Sequence, residues 1–181
     1  FRHVVLLFQD ATTATLAYPP STSYSVPLAF DADGDGVDDL ADVVSPGTGV
    51  QLSLVRPLDA RGPTWPFRPW AGASSKPRWL AAGVVPVPGE ARARGVFVGD
   101  DGFTLVEAPG GFPGAVELTV VDPAFHSVVD ARVARVDGDD YPDLVVARTA
   151  PLDWLVFPGT PGGSVETAPG VRTIVIDPGH G

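Results

Sequence analysis

Residues Asp31-Ala-Asp33-Gly-Asp35-Gly-Val37-Asp-Asp39 place carboxylates at positions 1, 3, 5 and 9 of a short loop, with a glycine at position 6. Carboxylates this close in sequence repel one another unless a hard cation sits between them, and the alternate spacing lets the side chains converge on one point. Gly36 allows the sharp turn, and the Val37 carbonyl can add an oxygen at position 7. Asp31, Asp33, Asp35, Val37 and Asp39 are therefore candidate calcium ligands, Val37 through its backbone, to be weighed against an acidic solvated turn.

The flanks decide what the loop joins. A helix-loop-helix calcium site needs a helix on either side, and Asp42 does fall at loop position 12, where such a site takes its bidentate acid. Pro19, Pro20 and Pro27 interrupt the run before the loop, and Leu40-Ala-Asp-Val-Val44 stops at Ser45-Pro46-Gly47. Neither flank has room for a helix, so the loop is expected between two short strands.

The rest of the chain has the same texture. Twenty-one glycines and twenty prolines punctuate it, while 44% hydrophobic content and a mean hydropathy of +0.16 argue for a folded chain of many short strands. At 181 residues, one domain can bury about 70% of its unfolded surface. No apolar run approaches the roughly 20 residues of a membrane span, and no signal peptide opens the chain. A chain that begins at Phe1 and contains no methionine is expected to be a fragment or a processed product. The net charge of -10 argues against a nucleic-acid partner. Absence of cysteine excludes disulfides and thiolate metal sites.

A unit recurs. Asp39-Leu-Ala-Asp-Val-Val44 turns into Val50-Gln-Leu-Ser-Leu-Val55, and Arg94-Gly-Val-Phe-Val-Gly99 turns through Asp100-Asp101-Gly102 into Phe103-Thr-Leu-Val106. Asp143-Leu-Val-Val-Ala147 leads by way of Ala150-Pro151 into Trp154-Leu-Val-Phe157. Val4–Phe8 and Ala14–Ala17 read as a further copy without its loop. From Asp39 to Arg94 is 55 residues and from Arg94 to Asp143 is 49, the spacing of a four-stranded blade. Aligning Asp143 with Asp39 puts Asp139 on Asp35, Asp137 on Asp33 and Arg135 on Asp31, while Asp140 replaces the turn glycine. Asp137, Asp139 and Asp143 thus form a degenerate candidate loop, in which Arg135 is expected to supply the charge that a cation supplies elsewhere, or a simple salt-bridged turn. In the middle unit, Pro86-Val-Pro-Gly-Glu90 keeps almost no acid, and no ion is expected there.

Asp31 to Leu40, and less closely Asp137 to Val146, resemble the aspartate-rich loop of the FG-GAP/VCBS repeats of integrin-like β-propellers. The resemblance spans most of residues 1–170 and implies an all-β fold, a partial β-propeller of three to four antiparallel four-stranded blades. Such propellers generally close with six or seven blades, so the resemblance also implies blades elsewhere or an open module that depends on a partner. Calcium modules with affinities of about 0.1 to 1 mM suit extracellular calcium, which points to an exported protein.

The ending differs. After the Pro/Gly-rich stretch 158–170, the β-branched run Val171-Arg-Thr-Ile-Val-Ile176 reads as a strand buried on both faces and leads into Asp177-Pro-Gly-His-Gly181. From the residues alone, one histidine after a proline-glycine turn is more often a turn residue than a ligand. Thr173 to Gly181, however, resembles the opening strand of the zinc-dependent N-acetylmuramoyl-L-alanine amidases, α/β enzymes that cleave peptidoglycan. That resemblance gives His180 the role of first zinc ligand. It divides the chain into repeats at 1–157, a linker at 158–170 and the start of a truncated amidase domain at 171–181. The other ligands and the catalytic glutamate of that family lie downstream, so no catalytic residue is expected within this chain and it is expected to be inactive alone. A bacterial, cell-surface, periplasmic or secreted location follows from the same resemblance.

Trp65, Trp70 and Trp79 crowd a proline-rich stretch, where exposed rings can stack on sugars, although packing between blades accounts for them more simply. Trp154 is expected in the core. The pairs Arg92/Arg94 and Arg132/Arg135 can grip an anionic polymer, but pairing with nearby aspartates is the simpler reading. No glycine-rich phosphate loop precedes a helix, so no nucleotide cofactor is expected. The combined expectation is a calcium-stabilised binding module that positions an amidase on peptidoglycan or on another surface glycan or protein. The alternative is an adhesive or lectin-like repeat protein without catalysis.

Overall fold

A computed structural model describes residues 3–7, 13–17, 23–24, 26–45, 51–55, 68–69, 79–99, 101–109, 116–121 and 125–167. These residues form strands and turns without a helix, and none of them offers a helix long and apolar enough to cross a membrane. β1 (His3–Leu7) and β2 (Thr13–Ala17) pair as an antiparallel hairpin.

Three further sheets follow in chain order. In the first, β5 (Asp39–Ser45) pairs with β6 (Gln51–Val55), and β6 with β7 (Arg68–Pro69). The other side of β5 is taken by two short pieces, β3 (Ser23–Tyr24) and β4 (Leu28–Phe30). Pro27 falls between them, where an edge strand tolerates a missing donor. The middle sheet is a four-stranded meander of β8 (Trp79–Pro86), β9 (Ala93–Gly99), β10 (Gly102–Glu107) and β11 (Val116–Val121). The last is β12 (Val128–Ala134), β13 (Asp143–Thr149) and β14 (Leu152–Phe157), three strands among the described residues. The hairpins expected from the sequence at β5–β6, β9–β10 and β13–β14 are all present. Each is preceded by a first strand, and the candidate acidic loops join first strand to second.

The middle sheet is buried on both faces. Val96 and Val98 of β9 and Phe103 and Leu105 of β10 face the last sheet, where they meet Val128, Leu144, Val146 and Phe157. Phe97 and Val106, on the opposite face by strand alternation, meet Phe30, Ala41 and Val43 of the first sheet. Two-faced burial explains why β9 and β10 read as continuous apolar runs, as strands covered on both sides do. Gly95 is needed where the first sheet comes closest: a Cβ there would lie 2.6 Å from Cε1 of Phe30. Between the middle and last sheets, Phe103, Phe125 and Phe157 form a ring cluster with centroids 5.0 to 5.8 Å apart. Burying one such side chain contributes about 1.5–3 kcal/mol. β4 packs on β8 and β9, and β12 packs on the same pair, so the sheets stack in chain order through their first strands.

The Pro/Gly-rich stretch expected to begin a linker at Pro158 is folded against the sheets as far as it is described. β15 (Gly159–Thr160) pairs with β16 (Ser164–Val165), and Val165 is buried in the core between the middle and last sheets. Gly159 and Gly163 serve close approach to neighbouring backbone rather than freedom. Residues 168–181, including Val171–Ile176 and His180, lie outside the described residues.

Candidate metal centre

The loop at 31–38 is built by its own carboxylates. Both oxygens of Asp31 accept backbone hydrogens, Oδ1 from Gly34 N at 2.6 Å and Oδ2 from Gly36 N at 2.8 Å. Asp33 Oδ1 accepts from Asp35 N at 3.1 Å, and Asp35 Oδ1 from Val37 N at 2.9 Å. These are the short-range turns that aspartate side chains favour. At the base of the loop, where β5 begins, Asp39 is buried and its Oδ2 accepts from Ala32 N at 3.0 Å. Oxygens of Asp31, Asp33 and Asp39 all come within 4.8 Å of one another. Of the five predicted ligands, three are thus gathered. Asp35 is exposed and is not one of these three carboxylates, and Val37, whose predicted ligand is its backbone carbonyl, is exposed beside it.

The loop at 135–142 repeats the pattern. Asp143, buried at the start of β13, accepts from Val136 N at 2.8 Å through Oδ2, as Asp39 does from Ala32. Asp137 Oδ1 accepts from Asp139 N at 3.1 Å, and Asp139 Oδ1 from Tyr141 N at 2.7 Å. Asp137, Asp139 and Asp143 form the second group of oxygens within 4.8 Å. The residue alignment read from the sequence is therefore also an alignment of hydrogen bonds.

Position 1 separates the two loops. Gly36 takes a left-handed φ of 83°, and its N–H is one of the two bonded to Asp31, with that of Gly34. An arginine has donors only and cannot accept those hydrogens. In the second loop the equivalent Asp140 does not adopt a positive φ. Arg135 is exposed and has no ion-pair partner among the described residues, contrary to the expectation that it replaces a cation.

The middle unit uses different chemistry. Val87-Pro-Gly-Glu90 forms a tight turn in which Glu90 N donates to Val87 O at 3.1 Å and Gly89 has a φ of 78°, the pattern of a type II turn with proline leading. Arg92 pairs with Glu90 and Glu107, and Arg94 pairs with Glu107 at 2.8 Å. The hydrogen bond from Arg92 holds the Glu90 carboxyl below its ordinary range despite some desolvation, and the same bond raises the Arg92 guanidinium. These arginines were expected to pair with aspartates, whereas their partners are glutamates. Glu107 was legible in principle, because the β9–β10 pairing that matches Val106 with Gly95 sets Glu107 opposite Arg94. Arg132 pairs with Asp130 at 3.1 Å on the surface.

The predicted aromatic and histidine positions are described only in part. Trp79 opens β8, Trp154 is half-buried on β14 rather than in the core, and Trp65 and Trp70 lie outside the described residues. His126 is exposed before β12, and His3 lies in β1.

Fold and site together define an all-β protein of small stacked antiparallel sheets, with carboxylate clusters at the joints between first and second strands. Comparison with family models, with curated proteins and with solved structures finds no match to this chain.

Proposed function

We propose that this chain is a calcium-stabilised, propeller-type repeat module whose task is binding and positioning. One observation carries the reading: the loops at 31–39 and 135–143 share the same backbone-to-carboxylate bonds, and each converges three acids at the same joint of its sheet. Oxygen-only donor sets of this kind suit a hard cation, and calcium tolerates their irregular geometry better than magnesium. Stacking through β4, β8 and β12 supports a radial arrangement of blade-like sheets. The test is calorimetric titration with calcium and with magnesium, in the parent protein and in Asp31→Ala. Calcium heat that falls in the variant supports the site at 31–39, and equal heats in both refute it.

The proposal extends to an amidase partner domain on the strength of the Thr173–Gly181 motif alone. In that reading the module holds the protein on peptidoglycan, and His180 serves as a zinc ligand. Purified peptidoglycan incubated with the protein as its gene encodes it should lose stem peptide, and His180→Ala should stop the release. Retention of the polymer without cleavage would leave the adhesive reading instead.

A further inference from the structure

We propose that Pro158–Thr167 is a clasp that ties the last sheet to the middle sheet, with Arg94 as its latch. The segment leaves β14, the third strand of the last sheet, and is first fixed to that sheet: Gly159 N donates to Asp143 Oδ1 at 2.9 Å. A Cβ on Gly159 would sit 2.5 Å from the Pro142 carbonyl oxygen, so the backbones touch there. The chain then crosses to the middle sheet. Gly163, with a φ of 65°, lies so close to the turn after β8 that a Cβ would be 2.6 Å from Pro86 O and 2.8 Å from Val87 Cα.

Arg94 closes the contact. Its Nη1 donates to the carbonyls of Gly162, at 2.9 Å, and of Gly163, while its Nε is held by Glu107 at 2.8 Å. A guanidinium fork anchored on one side by a carboxylate keeps its remaining donors aimed without losing rotamer freedom on binding. Behind the latch, Val165 fills the core between the two sheets, and Glu166 N returns to Pro158 O at 2.8 Å to close the loop. The chain beyond Thr167 therefore departs from a fixed point beside the 87–92 turn of the middle sheet, not from a tether swinging at the end of β14. Asp143 is shared with the second carboxylate cluster, but Arg94 and Gly163, the residues varied below, belong to neither cluster, so this inference and the calcium reading fail separately.

The absence of cysteine makes spin-label distance measurement direct. Leu152, 89% exposed at the far end of the last sheet, and the exposed Thr167 are changed to cysteine and labelled. A second pair, Leu152→Cys with Ala91→Cys, reports on the two sheets themselves. The parent should give narrow distributions for both pairs, and Arg94→Ala should widen only the Leu152/Thr167 distribution. A broad Leu152/Thr167 distribution in the parent, or one unchanged by Arg94→Ala, overturns the clasp. Gly163→Ala keeps Arg94 and Glu107 but drives the segment off Pro86, and should widen the same pair. If Arg94→Ala loosens both pairs, Gly163→Ala decides, and an unchanged distribution there overturns the inference.

Discussion

Asp33→Asn should stabilise the protein without calcium and lose most of the stabilisation that calcium gives the parent, so that its lead over the parent shrinks when calcium is added. Asn keeps the side-chain oxygen that accepts from Asp35 N, so the turn survives and the loss is chiefly one charge. The oxygens of Asp31, Asp33 and Asp39 lie within 4.8 Å of one another. At that separation each pair of charges repels by about 0.9 kcal/mol in water and about 3.5 kcal/mol at an effective dielectric of ~20. Asp33 is half-exposed, which favours the lower figure. Removing its two repulsions should return about 1–2 kcal/mol, or about 2–8 °C in melting temperature for a chain of this size. Calcium at about 10 mM, acting on a site with a dissociation constant of about 0.1–1 mM, adds about 1.4–2.7 kcal/mol to the parent. The variant should lose most of that increment. Scanning calorimetry in chelator and in calcium reads both terms. A variant that melts lower than the parent in chelator and responds equally to calcium would refute the electrostatic argument.

Phe157→Ala removes one ring of the cluster with Phe103 and Phe125 and should cost about 3–5 kcal/mol, read as a lower urea midpoint. Gly95→Ala should cost about 1–3 kcal/mol by pressing on Phe30, and combining it with Phe30→Leu should cost less than the sum of the two single changes. Asp153 is held below the ordinary carboxylate range by its hydrogen bond from Arg148, against opposing desolvation. Its contribution is therefore present above the unfolded value near ~3.9 and is lost as pH falls through the lower folded value. Urea midpoints measured from neutral pH downward should fall less steeply through that acid range in Asp153→Asn than in the parent.

The sequence showed the second and third strands of each sheet plainly, because they are apolar hairpins with recognisable turns. First strands were harder to see. β8 carries a register shift between Ala81 and Gly83, and β12 one between Val128 and Asp130. Each slips the alternation that marks a half-buried strand. β12 also bears exposed Val129 and Arg132, which dilute its apolar face. At the site, Asp31, Asp33 and Asp39 were legible because spacing along a turn dictates convergence. That Asp35 falls outside its group while the equivalent Asp139 joins the other was not, since both make the same bond, to Val37 N and to Tyr141 N. The stretch from Pro158 misled for a simple reason. Glycine signals loose chain and tight backbone contact alike, and only the neighbours tell which.

The double-sided burial of the middle sheet limits how this chain can be cut or rearranged. A gene fragment ending between residues 99 and 128 would leave the Val96 and Val98 row facing water, and one starting after residue 45 would uncover Phe97 and Val106 in the same way. Domain shuffling must therefore move the three sheets as one block. The acidic turn at 31–38 is anchored in that block at its base, where Ala32 is buried and the carbonyls of Asp31 and Ala32 accept from Ala93 N and Ala108 N of the middle sheet, so only its exposed tip is free to be exchanged.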